Sequence, residues 1–98
     1  MTIQEFEQKI AQLKKVKDKA IGMQKSDLAD IIDELETERL RVLTSGLITL
    51  QITLSAEDTT ELNDIAATFE QERENITNVT GLINRAIGIG RQLISFIP

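Results

Sequence analysis

Apolar side chains recur every three or four residues along most of the chain, and this spacing is typical of one face of an amphipathic helix. The first such row consists of Ile3, Phe6, Ile10 and Leu13. Gly22 follows this row and is typical of the position just beyond a helix, since glycine adopts a positive φ without steric cost. The pattern predicts a first helix over about residues 2–21 and a second that begins at Ser26, whose oxygen can cap free backbone N–H groups.

The apolar row of the second helix changes phase after Leu35, because the next leucine lies five residues further on instead of three or four. The leucines after the phase change are Leu40, Leu43, Leu47, Leu50 and Leu54. A continuous row through Ile32 and Glu36 to Leu40 is an alternative. The second helix is predicted over about residues 26–54, with this leucine row buried.

Residues 47–54 fit two kinds of structure. Ile48, Leu50 and Ile52 alternate with polar residues, as in a half-buried strand. Wound as a helix, Leu47, Leu50 and Leu54 would share one face. We favour the helix, because a lone strand needs a partner and no other segment resembles one. A strand here would have to pair across a dimer.

Ser55 predicts the start of a third helix, because it precedes an acidic first turn. The apolar row that follows keeps steps of three or four residues, and it predicts a helix over about 56–96. The stretch 75–81 contains poor helix formers, so a kink near Gly81 is expected, and a break near Gly46 or Gly81 would add a fourth or fifth helix.

A third helix of this length could not be covered by the first helix alone. Its apolar row must be buried either in a second copy of the chain or by a break that folds the helix back. We therefore expect one all-α domain over residues 1–98, an elongated antiparallel bundle of three to four helices that forms a homodimer.

The composition excludes several kinds of chemistry. The 98 residues include no cysteine, so there is no disulfide and no thiolate ligand, and no histidine, the commonest general base and metal ligand. Tryptophan and tyrosine are absent. The N-terminal residues lack the basic start and apolar run of a signal peptide, and a cytoplasmic protein without cofactors is expected.

The net charge of −5 is unevenly distributed. Residues 1–25 carry a net charge of +3, residues 26–74 carry −10, and residues 75–98 carry +2. We interpret this as basic ends packed beside an acidic middle. Nucleic acid is not an expected partner, because the lysines are not interleaved with aromatic residues and the whole chain repels polyanions.

Four carboxylates are candidate metal ligands, because Mg²⁺ prefers several oxygen atoms and two facing helices could supply them. They are Glu34, Glu38, Glu61 and Asp64. The elements Glu34-Leu35-Glu36-Thr37-Glu38 and Glu61-Leu62-Asn63-Asp64 partly resemble the acidic motifs of all-α NTP pyrophosphatases of the MazG type, which bind Mg²⁺ at the nucleotide phosphates. The second element matches Glu-x-x-Asp, whereas Leu35 stands where the first motif has a second glutamate. The resemblance implies a magnesium-dependent pyrophosphatase as one alternative function.

The length, acidity and helicity also partly resemble helical-hairpin secretion substrates of about a hundred residues. That family has Trp-x-Gly at its central turn, whereas this chain has Thr44-Ser45-Gly46. Its helices are also continuous where this chain has a break at Gly22.

The C-terminal segment, residues 81–98, is rich in apolar and small residues and contains no acid. It is either a buried helix of the bundle or dimer, or a segment that docks on a membrane surface or in a partner's groove. The candidate interaction residues are Ile83, Ala86, Ile87, Gly90, Leu93 and Phe96. The function that we expect is a non-enzymatic helical interaction or assembly module, homo-oligomeric, with a possible further protein partner. Contact with a membrane is the next alternative.

Overall fold

The computed structural model describes residues 1–47, 49–70 and 79–97, and this part of the chain contains four helices and no strand. The helices are α1 (Ile3–Lys19), α2 (Gly22–Thr44), α3 (Ala56–Glu70) and α4 (Val79–Ser95). The predicted all-α class is therefore confirmed.

The connection between α1 and α2 consists of Ala20 and Ile21, and it is two residues shorter than the predicted connection over 22–25. α1 begins at its cap Thr2, whose Oγ1 accepts a hydrogen bond from the Glu5 N–H at 3.2 Å. α2 begins at Gly22, which has a φ of +62°. The glycine that was predicted to follow the first helix is therefore also the first residue of the second. The prediction that Ser26 caps the second helix is wrong, because Ser26 lies inside α2 and is exposed.

The second helix ends at Thr44, ten residues earlier than predicted. Gly46 has a φ of +73° and ends the helical path, so a break near Gly46 is confirmed. The helix predicted over 47–54 is wrong at residues 47 and 49–54, which are not helical. The strand alternative is also wrong for these residues. Their pairing is a single antiparallel bridge from Thr49 to Thr2 of the same chain.

The predicted third helix is two helices, because α3 ends at Glu70 and α4 begins at Val79. Nη1 of Arg85 lies 3.0 Å from Oε1 of Glu61. These residues would stand roughly 36 Å apart in one straight helix, so α4 folds back against α3. The alternative in which a break folds the third helix back is therefore confirmed. A kink near Gly81 is wrong, since Gly81 lies inside α4, and residues 75–78 of the weak stretch lie outside the described residues.

The helices form a ring in which α1 and α4 each pack against both α2 and α3. Among the described residues, α2 and α3 do not contact each other and occupy opposite corners. α1 and α2 are antiparallel, whereas α2 and α4 are parallel, since Gln24 bonds to Asn84 and Asp27 contacts Arg91. The segment between α2 and α3 therefore crosses one end of the bundle, where the Met1 amino group donates to the carbonyls of Leu50 and Ile52 at 3.2 Å.

The core is built from apolar residues of all four helices and of the crossing segment. Its largest fully buried side chains are Phe6, Val16, Leu13, Leu28, Leu35, Val42, Leu62 and Leu93. On α2 the buried row continues from Leu35 to Glu38 and Val42. The prediction that Leu40, Leu43 and Leu47 are buried is therefore wrong. The continuous alternative through Glu36 to Leu40 is wrong as well, because Leu40 is exposed.

Candidate interaction surfaces

Five of the six predicted interaction residues face the chain's own core. They are Ile83, Ala86, Ile87, Gly90 and Leu93. Phe96 follows the last turn of α4 and is the exposed member, with 44% of its surface accessible. A partner could reach the other five only if the bundle opened. This placement favours the alternative in which α4 is a core helix, and a docking role stays a prediction for Phe96.

Gly90 is a point of close approach between α4 and α2. A Cβ atom placed on Gly90 would lie 2.8 Å from Cγ2 of Ile31 and 3.5 Å from Cδ1 of Leu13. Optimal separations between carbon atoms are about 3.5–4.0 Å, so any larger residue would force Ile31 or the helix to move. The small residues at 86 and 90 therefore allow α4 to pack closely against α1 and α2.

The C-terminal end of α2 and the turn that follows it carry an uncovered apolar row. Leu40, Leu43 and Leu47, hereafter the outer leucine row, are 63%, 44% and 50% exposed. Leu47 also lines a surface cavity of about 420 Å³ together with Phe96 and Val42. Phe96 therefore continues the row across to the end of α4. The sequence pattern identified these leucines but assigned them to the core.

The charges beside the outer leucine row are paired within the chain. Lys14 contacts Glu36 at 2.6 Å, and Arg39 contacts Glu7 at 3.5 Å. Nε of Arg41 donates to the two carboxylate oxygens of the buried Glu38 at 2.9 and 3.1 Å. These hydrogen bonds and the carboxylate charge raise the pKa of Arg41. The apolar row thus lies in a locally neutral surface, although the chain as a whole is acidic.

The four candidate metal ligands are not brought together. Glu34 and Glu38 lie on α2, whereas Glu61 and Asp64 lie on α3, and these helices occupy opposite corners of the ring. Glu38 binds Arg41, and Glu61 binds Arg85. In the described part of the chain, no group of three or more carboxylates could hold a metal ion. The two acidic elements that resemble the pyrophosphatase motifs therefore do not form one site.

Lys9 is a buried lysine that sequence analysis did not single out. It lies between α1 and α3 with 4% of its surface exposed, and its Nζ donates to Oδ1 of Asn63 at 3.1 Å and to Oε1 of Gln12 at 3.4 Å. Burial lowers the pKa of Lys9, and the charge of Glu5 opposes that shift. The spacing of Lys9 in the sequence could have indicated its burial, because Lys9 lies three residues after Phe6 and four before Leu13, on the buried face of α1.

The turn between α1 and α2 also exposes two large apolar side chains. Ile21 and Met23 are each 81% exposed, on either side of Gly22. Sequence analysis did not identify them as a surface, because they flank the predicted helix boundary and do not form a row.

None of the helices within the described ranges is long and apolar enough to cross a membrane. Comparison of the chain with protein-family models, curated proteins and solved structures found no match.

Proposed function

We propose that this chain is a non-enzymatic helical interaction module that self-associates through the outer leucine row and Phe96. The observation that carries the proposal is the exposure of Leu40 and Leu43 on a helix whose opposite face already fills the core, together with the exposure of Leu47 just beyond the end of that helix. Contiguous exposed apolar surface is unfavourable in water, and it typically marks an interface.

The spacing of the outer leucine row supports a helix as its partner. Leu40 and Leu43 lie three residues apart on α2, the spacing of neighbouring apolar side chains on one face of a helix, and such a face packs against a second helix by fitting its side chains between those of the partner. Thr37 and Thr44 lie beside the row and are exposed and uncharged. A second helix could therefore approach without desolvating an unpaired charge.

A second copy of the chain is the partner that we propose. In a two-fold symmetric dimer the same patch forms both sides of the interface, so the patch must be complementary to itself. A neutral apolar row meets this condition, whereas a row of one charge would repel its copy. The pairing of Glu36, Arg39 and Arg41 within the chain leaves the patch neutral, although each copy carries a net charge of −5.

The test is the double variant Leu40→Glu/Leu43→Glu, measured by sedimentation equilibrium over a range of concentrations. We expect the wild-type chain to dimerise and the variant to dissociate at least about tenfold more readily, since central apolar contacts dominate most interfaces. Both positions are exposed, so circular dichroism and the melting temperature should change little.

The matched control is Ile21→Glu/Met23→Glu, which adds the same two charges at exposed apolar positions near the other end of α2. It should dimerise nearly as the wild-type chain does. A wild-type chain that stays monomeric at all concentrations, or equal weakening by both double variants, would contradict the proposal.

A further inference from the structure

The tip of the bundle formed by the α1–α2 turn differs from the rest of the surface. Ala20 is buried beneath it, whereas Ile21 and Met23 project outward and are 81% exposed. Gly22, with a φ of +62°, turns the chain between them. No other large apolar residue in the described part of the chain is as exposed as these two.

The tip is flanked by positive charge. Residues 17–25 contain three lysines, Lys17, Lys19 and Lys25, and one acid, Asp18, within a chain whose net charge is −5. Lys17 lies in the last turn of α1 and Lys25 in the first turn of α2, so they bracket Ile21 and Met23. Cations also stabilise the C-terminal end of α1 by interacting with its dipole, but that effect does not account for two exposed aliphatic side chains.

The tip lies far from the outer leucine row. Met23 and Leu43 are twenty residues apart on one helix, a separation of about 30 Å. A chain that self-associates through the row therefore leaves the tip accessible. An occupant of the tip is a second interaction, beyond the proposed function.

We propose that the tip docks on membrane surfaces that contain anionic lipids. Ile21 and Met23 would enter the boundary between headgroups and acyl chains, while the neighbouring lysines bind lipid phosphates and carboxylates. Lysine suits this position because its aliphatic stem can lie along the apolar region while its amine stays in water.

Charge complementarity and the apolar pair together favour lipid over other anionic partners. A nucleic-acid backbone would pair with the lysines but offers no apolar contact for Ile21 and Met23. The chain also has no tryptophan or tyrosine on which bases could stack. An anionic bilayer provides both an apolar layer and negative charge within a few ångströms of each other.

The absence of tryptophan permits a direct test of insertion. In the variant Met23→Trp the new residue is the only indole in the full chain, and its fluorescence reports the polarity around the tip. We expect a blue shift with phosphatidylcholine vesicles that contain about a third phosphatidylserine, and quenching by brominated acyl chains. The control variant Gln4→Trp, at an exposed position in the first turn of α1, should show neither change. An unchanged emission of Met23→Trp with anionic vesicles would overturn the proposal.

Vesicle co-sedimentation measures the same interaction without a reporter. We expect Ile21→Ser/Met23→Ser to weaken binding at least about tenfold, because both apolar side chains lose their insertion. Lys17→Gln/Lys25→Gln should weaken it by about fivefold per charge at low salt. Leu40→Ser/Leu43→Ser should bind like the wild-type chain, even if it no longer dimerises.

Three results would contradict lipid docking. They are equal binding of the wild-type chain to purely zwitterionic vesicles, unchanged binding of the serine double variant, and binding to a DNA duplex without binding to anionic vesicles. Because the reporter lies at the tip and the dimer contacts lie at the outer leucine row, failure of one proposal is distinguishable from failure of the other.

Discussion

At the scale of single residues, two glycines of α4 have opposite roles. Nothing lies within 4 Å of a Cβ atom placed on Gly88, whereas one placed on Gly90 meets Cγ2 of Ile31 at 2.8 Å. Both have ordinary helical conformations, so the difference between them is packing rather than backbone strain.

We expect Gly88→Ala to stabilise the chain by about 1 kcal/mol, because alanine favours helix more than glycine does. In Gly90→Ala the same gain in helix propensity is opposed by overpacking, which should destabilise the chain by roughly 1–3 kcal/mol. Chemical unfolding of both variants measures the two effects. Equal stabilisation by both substitutions would show that α4 can move away from Ile31 at little cost.

Lys9 gives the stability of the chain a dependence on pH. The folded chain lowers the pKa of this amine below its ordinary value of 10.5, so in the pH range just below 10.5 the unfolded chain binds more protons. The free energy of unfolding then rises with pH in this range as the buried amine loses its charge. This contribution is fully present above 10.5 and is lost as the pH falls through the folded-state pKa.

We expect Lys9→Met to flatten the rise in the free energy of unfolding between neutral pH and about 10.5. Methionine is similar in length, so it should fill the space between α1 and α3. Lys25→Met, at an exposed position, should keep the wild-type slope. The same slope in all three chains, measured by urea unfolding at several pH values, would contradict a depressed pKa at Lys9.

At the scale of elements, the segment that crosses the end of the bundle has the alternation of a strand without belonging to a sheet. Leu50 and Ile52 are buried, whereas Thr49, Gln51 and Thr53 are exposed. The sequence shows the same alternation of apolar and polar residues. The extended chain pairs with the two residues that precede α1: the Leu50 N–H donates to the carbonyl of Met1 at 2.8 Å, and Thr49 bridges to Thr2. Among the described residues this pairing is an isolated bridge and does not extend into a ladder.

Two serines with similar sequence settings differ in their role at helix starts. The hydroxyl of Ser55 accepts a hydrogen bond from the Asp58 N–H at 3.0 Å, so the predicted cap of α3 is confirmed. Ser26 lies within α2 and caps nothing, because the helix begins four residues earlier at Gly22.

We expect Ser55→Ala to reduce stability by about 1 kcal/mol, since the N–H groups of the first turn lose their acceptor. Ser26→Ala should be neutral or slightly stabilising, because alanine is the better helix former. Thermal melting of the two variants checks this difference. A larger loss for Ser26→Ala than for Ser55→Ala would contradict the observed start of α2.

At the scale of the whole molecule, the proposed dimer combines an apolar contact with a repulsive net charge. Each copy carries −5, whereas the surface beside the outer leucine row is neutral because its charges are paired within one chain. Long-range repulsion and short-range apolar attraction therefore act against each other.

We expect the dissociation constant of the dimer to fall several-fold as NaCl is raised from ~0.05 to ~0.5 M, because salt screens the repulsion between exposed charges. Apolar burial does not weaken with salt over this range. Sedimentation at several salt concentrations gives the trend. A dissociation constant that rises with salt would indicate an interface held by ion pairs instead of by leucines.

The amino-acid sequence by itself determined the helical class, the approximate extent of α1 and the cap at Ser55. Each of these depends on neighbours within a few residues: the spacing of apolar side chains, or a hydroxyl three residues from an N–H.

The tertiary structure alone decided which apolar residues are covered. Leu40 and Leu35 look equivalent in the sequence, but burial depends on which face of α2 meets α1 and α4, and that face continues through Glu38 and Val42. Likewise, α4 is buried because the chain reverses direction between α3 and α4. The apolar spacing of the sequence continues unbroken through this region, so it does not reveal where the reversal lies. The exposed row and the exposed tip result from long-range packing, which periodicity along one chain does not encode.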